Sequence, residues 1–139
     1  MKIIIVYLSL LSLLSNYFQA PTWKNEQLMN TLDLSNKIKA NAKDKPLIFN
    51  VGPMENIKGA IAIGAPTNTN FVSKISNYIV KENKTKHIVV YCGCCSHSSC
   101  PNIKPAYDFL ISKGFKKTKV LELPEGIKPD WVAKGYPME

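Results

Sequence analysis

The stretch His87-Ile-Val-Val-Tyr91, followed by Cys92-Gly-Cys-Cys-Ser-His-Ser-Ser-Cys-Pro101, joins a β-branched run to a loop rich in cysteine. The run lies between a charged segment and a polar loop, which predicts a buried strand. All four cysteines of the chain fall within residues 92–101, which we call the cysteine loop. Because open α/β sheets bind ligands beyond the carboxyl ends of their strands, we expect the functional site there.

Strand-like and helical patterns alternate along the rest of the chain. Further strands are predicted at 47–51, 59–64 and 119–123, where short apolar runs lie next to turn residues. The spacing of apolar residues predicts helices at 23–40, from 71 to 79, from 106 until Gly114, and around Trp131. Strands separated by helices predict an α/β fold with a mainly parallel sheet flanked by helices on both faces.

The N-terminus has the layout of a signal peptide. Lys2 precedes an apolar segment from Ile3 to Leu14, and a more polar segment ends at Ala20. Because the apolar segment is shorter than the ~20 residues that cross a bilayer, we expect cleavage after Ala20, with an uncleaved anchor as the alternative. Residues 21–139 are then one exported domain, periplasmic or secreted, without membrane contact after cleavage. Thiols persist in such an oxidising compartment only when they are protected, paired or regenerated.

The chain is basic, and it contains lysine but no arginine. The 18 lysines outnumber 10 acidic residues, which gives a formal net charge of +8. The lysines form no tight run and do not alternate with aromatic residues, so we interpret them as solvated helix faces and expect no nucleic-acid partner. We also predict no cofactor, and the oligomeric state is left open.

Several motifs, taken in order, resemble those of the rhodanese-like sulfurtransferases. They are Ile57-Lys-Gly-Ala-Ile-Ala-Ile63, Tyr91-Cys92, Gly114-Phe115, Val120, Glu125-Gly126, Trp131 and Gly135-Tyr-Pro137. The resemblance covers residues 47–137. It implies a three-layer rhodanese-like fold with the catalytic cysteine at Cys92, the first residue of the active-site loop.

Two features depart from the pattern of that family. Its members usually carry Asp-Val-Arg after the first core strand, whereas this chain reads Asn50-Val-Gly52, and here the span from Cys92 to Gly114 is longer. A lysine cannot reproduce the bidentate grip of a guanidinium on an anion. The candidate residues for the active-site loop and its anion site are Gly93, Cys94, Cys95, Ser96, His97 and Lys104. Lys104 fits a solvated helix face equally well.

Sulfane-sulfur transfer needs a thiolate that attacks the outer sulfur of a donor, holds it as a persulfide and passes it to a nucleophile. Cys92 has the position for this role, because loop N–H groups and the start of the following helix stabilise an anion there. Gly93 permits the turn away from the strand. We therefore predict a sulfurtransferase that carries a persulfide on Cys92. Its partners are a small sulfur-containing donor and a thiol or cyanide-like acceptor.

The other three cysteines leave two roles open. Cys94 or Cys95 can pair with Cys100 in a disulfide that holds the loop, or one of these thiols can resolve a Cys92 persulfide and release sulfide. Because the domain is expected in an oxidising compartment, we predict one disulfide that involves Cys100 and leaves Cys92 free.

Functions of two other classes compete with sulfur transfer. The soft ligands of the loop suit Cu(I) or Zn(II), and the candidate set is Cys92, Cys94, Cys95, His97 and Cys100. Cys92-Gly-Cys-Cys95 is also the C-x-x-C pattern of a thiol–disulfide oxidoreductase. A thioredoxin-like fold places that motif early in the domain, whereas here it lies late in the chain, so this function is the less favoured.

Overall fold

Five parallel strands form one sheet in this computed structural model, which describes residues 22–139. The strands are β1 (Leu28–Met29), β2 (Leu47–Asn50), β3 (Ile61–Ala62), β4 (Ile88–Tyr91) and β5 (Thr118–Leu121). Their spatial order is β1-β5-β4-β2-β3, and every neighbouring pair is parallel. The predicted signal peptide, residues 1–20, lies outside the described residues.

Helices cover both faces of the sheet. They are α1 (Thr31–Lys39), α2 (Phe71–Ile79), α3 (Ile103–Ser112) and α4 (Ile127–Asp130), with 3-10 turns at Asn25–Gln27 and Val132–Lys134. Side chains alternate between the faces along β4, so that Ile88 and Val90 pack with α2 and α3, while Val89 and Tyr91 pack with α1 and α4. This arrangement confirms the predicted α/β layers. No helix among the described residues has the length and apolar character needed to span a membrane.

The central strand β4 brings the cysteine loop next to the end of β2. All four residues of β4 are buried, which explains why its sequence is apolar without alternation. Asn50 lies opposite Tyr91 in the register, and the N–H of Val51 donates to the Tyr91 carbonyl at 2.8 Å. The segments that follow β2 and β4 therefore leave the sheet side by side.

The helix predicted at 23–40 is wrong in its first part, because α1 begins only at Thr31. Leu28 and Met29 instead pair with β5 and form the edge strand β1. Asn30 follows this strand and is the N-cap of α1, with an extended backbone. Its side chain accepts the N–H groups of Leu32 and Asp33 at 2.9 and 3.3 Å. The other predicted helices and strands are present, with shifts of a few residues at their ends.

Asp130 holds the segment that supports the cysteine loop from the α4 side. Its buried carboxylate accepts the N–H groups of Glu125 at 2.7 Å and Gly126 at 3.0 Å. The next residue, Ile127, donates its N–H to the Gly93 carbonyl at 2.9 Å. The Asp130 carboxylate therefore fixes the turn before α4, and this turn supports the start of the cysteine loop at Gly93.

Replacing Asp130 with alanine leaves the buried N–H of Gly126 and the part-buried N–H of Glu125 without this acceptor. We expect Asp130→Ala to lower the free energy of unfolding by about 1–3 kcal/mol, measured by urea denaturation. Asp108→Ala is the control, because Asp108 forms an exposed ion pair on α3, and it should change stability by less than about 0.5 kcal/mol. Equal stability of the two variants would contradict this role for Asp130.

Candidate active site

Cys92 lies directly after β4, and it is fully buried. Its side chain continues the alternation of Ile88 and Val90 and packs with Cys100 and Ile103, on the face covered by α2 and α3. The thiol thus lies beneath the cysteine loop, at the carboxyl edge of the sheet where the sequence predicts the site.

The cysteine loop folds back so that three of its sulfur atoms meet. The Sγ atoms of Cys92, Cys94 and Cys100 all lie within 4.8 Å of one another, and we call these residues the sulfur cluster. Cys92 Sγ and Cys94 Sγ are 3.2 Å apart. A turn in which the N–H of Cys100 donates to the Ser96 carbonyl at 3.0 Å returns the chain to Cys92. Cys94 is exposed, whereas the other two members are buried.

The sulfur cluster stabilises one negative charge on Cys92. Hydrogen bonds from the thiol of Cys100, and from the thiol and backbone N–H of Cys94, outweigh burial and lower the pKa of Cys92 to about 5. The pKa of Cys94 is raised to about 12 by burial and by the neighbouring sulfurs. The pKa of Cys100 is also raised, because its thiol donates to Cys92 and is buried. Cys92 is therefore the thiolate at neutral pH.

Asn102 also contacts this thiolate, although the sequence analysis did not identify it. Its Nδ2 atom donates to the Val51 carbonyl at 3.1 Å and lies 3.8 Å from Cys92 Sγ. The side chain thus links the segment after β2 to the site and helps to lower the pKa of Cys92. The available signal was its place directly before α3, where a polar side chain commonly meets groups at the helix start.

Gly52 leaves the space in which the Cys92 thiol packs. A Cβ atom at this position would lie 2.4 Å from the Cys92 carbonyl oxygen and 2.5 Å from its Sγ atom. Asn50 fixes the backbone here, since its Oδ1 accepts the Gly52 N–H at 3.0 Å and its Nδ2 donates to the Met54 carbonyl at 2.8 Å. The position where the resembling family carries arginine therefore cannot hold any side chain while Cys92 keeps its place.

His97 anchors the cysteine loop and lies outside the sulfur cluster. Its backbone N–H donates to the Leu123 carbonyl at 2.9 Å, and its Nδ1 accepts the Leu123 N–H at 3.1 Å. Trp23 donates its indole N–H to the His97 carbonyl at 3.2 Å.

Of the five candidate metal ligands, the structure brings Cys92, Cys94 and Cys100 together. Cys95 has its Sγ 3.5 Å from that of Cys94 but is not in the cluster.

Other predicted loop residues have mainly structural contacts. Gly93 has a φ of +82°, and a Cβ there would lie 3.0 Å from Ile127, so glycine is required at the turn. Ser96 bonds to Ser98 within the loop, with 2.8 Å between the hydroxyl oxygens. Lys104 lies on the exposed side of α3 with its Nζ 2.7 Å from Asp108 Oδ2, as a solvated helix residue would.

A cavity of about 280 Å³ opens beside Cys94, on the α4 side of the loop. It is lined by Met54, Gly93, Cys94, Glu125, Gly126, Lys128 and Pro129. Lys128, which the sequence analysis did not select, is therefore the cation of this cavity. A larger cavity of about 430 Å³ lies at the opposite edge of the sheet, next to His87 and Lys117, far from the four cysteines in the fold.

All four cysteines are free thiols in this structure. The disulfide through Cys100 therefore stays a prediction. The close approach of Cys100 to Cys92 and Cys94 shows that its nearest sulfur partners include the proposed nucleophile itself.

The fold resembles those of solved structures at low sequence identity. The BH2092 protein of Bacillus halodurans has a TM-score of 0.62 and 21% identity, over 82% of this chain and 77% of that chain. The rhodanese-like domain of the Alr3790 protein from Anabaena sp. has a TM-score of 0.57 and 24% identity, over 82% and 79%. Both matches confirm the three-layer rhodanese-like fold.

A third solved structure shares the fold over part of its length. It is a variant of EanB, in which ergothioneine is covalently linked with a cysteine persulfide. Its TM-score is 0.60 and its identity 17%, over 83% of this chain and 28% of that chain. No protein-family model matches the chain, and no curated protein matches it significantly.

The packing of Gly52 on the thiol can be tested with Gly52→Ala. Overpacking should lower the free energy of unfolding by about 1–3 kcal/mol. It should also move Cys92 away from its donors and raise its pKa above about 5. The thiolate absorbance in the ultraviolet, taken as a difference from Cys92→Ser, should then appear at a higher pH in the variant than in the unmodified protein.

Gly135→Ala is the matched control for this measurement. A Cβ at Gly135 has no atom within 4 Å, but its φ of +68° is strained for alanine. This control should lose about 1–2 kcal/mol of stability and keep the titration of Cys92 unchanged. The proposed packing is wrong if Gly52→Ala leaves both stability and titration unaltered.

Proposed function

We propose that this chain, which has the rhodanese-like fold, is an exported sulfurtransferase that carries sulfane sulfur as a persulfide on Cys92. The observation that carries the proposal is the Cys92 thiolate at the carboxyl edge of the central strand, with Cys100, Cys94 and Asn102 directed at it. A cysteine persulfide in the EanB variant, which shares the fold, supports this chemistry. The location, periplasmic or secreted, is part of the same proposal.

The low pKa of Cys92 suits both halves of a sulfur transfer. In the first half, the thiolate attacks the outer sulfur of a donor R–S–SH, the S–S bond of the donor breaks, and the thiolate R–S⁻ leaves and takes up a proton. In the second half, a thiol or cyanide-like acceptor attacks the outer sulfur on Cys92. The Cys92 thiolate then leaves, and a thiol of low pKa is a fast leaving group.

The charges around the site favour organic persulfides or polysulfides over a compact dianion. The chain has no arginine, and Lys104 pairs with Asp108. Lys128 contributes a single positive charge to the cavity beside Cys94. Because a lysine acts as a point charge without the bidentate geometry of a guanidinium, thiosulfate is a poor fit for this site.

The persulfide proposal predicts that Cys94→Ser retains one sulfur atom after treatment with inorganic polysulfide and removal of the excess donor, whereas Cys92→Ser/Cys94→Ser retains none. The unmodified protein and Cys95→Ser should each retain one sulfur atom by intact-mass analysis, because both keep the Cys92 thiolate. They should then release that sulfur to cyanide as thiocyanate. Loss of the sulfur in Cys94→Ser, or its retention in Cys92→Ser/Cys94→Ser, would show that another residue carries it.

The sulfur cluster also supports a second candidate function, binding of Cu(I). Three sulfur atoms lie within 4.8 Å of one another, and the group includes no fourth ligand from the described residues. Thiolates select soft ions, and Zn(II) in structural sites almost always takes four ligands. The cluster therefore suits three-coordinate Cu(I) better than Zn(II).

A Cu(I) site of this kind depends on Cys100. We expect Cys100→Ser to weaken Cu(I) binding by about tenfold or more, and Cys95→Ser to leave it near the value of the unmodified protein. Competition with a chromophoric Cu(I) chelator measures both, with elemental analysis of the same samples. Preference for Zn(II) over Cu(I), or unchanged Cu(I) binding in Cys100→Ser, would exclude this function.

A further inference from the structure

Two neighbouring cysteines of the site differ in their access to solvent. Cys92 has 0% of its surface exposed, whereas Cys94, whose Sγ atom lies 3.2 Å away, is an exposed residue. The proposed function rests on Cys92, so a donor larger than a few atoms needs a route to a sulfur that it cannot touch directly.

The cavity at the surface reaches Cys94. Cys94 is one of its lining residues, together with Gly93, Glu125 and Lys128, and Cys92 is not among them. A molecule that occupies this space therefore contacts Cys94 and does not contact Cys92. One amine and one carboxylate at the wall suit a donor that carries charges of both signs.

We infer that Cys94 is a second catalytic cysteine, which takes the sulfane sulfur from a peptide-type persulfide in this cavity and relays it to the buried Cys92. The inference rests on the proposed function, because it needs Cys92 as the final carrier. It assigns the exposed cysteine to sulfur entry and the buried cysteine to sulfur storage.

The first step transfers sulfur from the donor to Cys94. The Cys94 sulfur attacks the outer sulfur of R–S–SH, the S–S bond of the donor breaks, and R–S⁻ leaves. The proton of the Cys94 thiol passes to R–S⁻, which departs as the thiol R–SH. The products are R–SH and a persulfide on Cys94, so no oxidant or reductant is consumed.

The second step moves the sulfur inward. The Cys92 thiolate, whose Sγ lies 3.2 Å from that of Cys94, attacks the outer sulfur on Cys94. The S–S bond on Cys94 breaks and its thiolate leaves, to be protonated from solvent. In-line transfer requires the two Sγ atoms to move apart by roughly 2 Å, the length of one S–S bond. Cys94 can make this movement because it is exposed.

The test compares a bulky donor with a compact one. Glutathione persulfide and inorganic polysulfide are each mixed with the protein, and the rate of gain of one sulfur atom is followed by quenched-flow mass analysis. The pH is kept alkaline, so that Cys92 is a thiolate in every variant. We expect Cys94→Ser to slow the reaction with glutathione persulfide by about tenfold or more and that with polysulfide by less than about threefold.

Ser99→Ala is the control, because Ser99 is an exposed residue of the same loop and its hydroxyl donates to the Ser96 carbonyl at 3.3 Å. It should leave both rates unchanged. A wild-type rate with glutathione persulfide in Cys94→Ser would overturn the relay, and so would equal slowing with both donors, since a loss of structural support affects every donor alike. If the unmodified protein gains no sulfur from either donor, the persulfide function itself fails, and the relay fails with it.

Discussion

The site depends on hydrogen bonds that hold a negative charge on a buried sulfur. Burial disfavours the thiolate, so the charge persists only where hydrogen bonds compensate for lost water. At Cys92 the largest compensation comes from the Cys100 thiol, followed by the thiol and N–H of Cys94. The turn in which the Cys100 N–H donates to the Ser96 carbonyl at 3.0 Å brings the Cys100 thiol back to Cys92.

The two departures from the family pattern belong to one arrangement. Gly52 occupies the position of the usual arginine and provides the space against which Cys92 packs. The enlarged loop supplies neutral S–H donors to the sulfur. Thiols of the loop thus stabilise the charge on Cys92, which keeps the thiolate available.

The sequence predicted the layers of the fold and the position of Cys92, because apolar periodicity and the end of a buried strand are local patterns. It missed β1, since a two-residue edge strand exists only through pairing with β5, and its leucine also fits helical spacing. The sequence also did not show that His97 lies outside the sulfur cluster, or that Lys128 rather than Lys104 lines the cavity beside Cys94. The position of His97 depends on Leu123, and that of Lys128 on the place of α4 beside the loop, and only the folded chain brings these parts together.

A persulfide and a Cu(I) ion would compete for the same electron pairs on Cys92, and both require the sulfur cluster to change shape. A persulfide adds a sulfur atom to a site where Cys92 and Cys100 are already buried. A metal ion with bonds of ~2.3 Å needs its sulfurs farther apart than the 3.2 Å between Cys92 and Cys94. In either case Cys94 is the member that can move, because it is exposed while close packing restrains the other two. The exposed thiol therefore controls what the buried thiolate can hold.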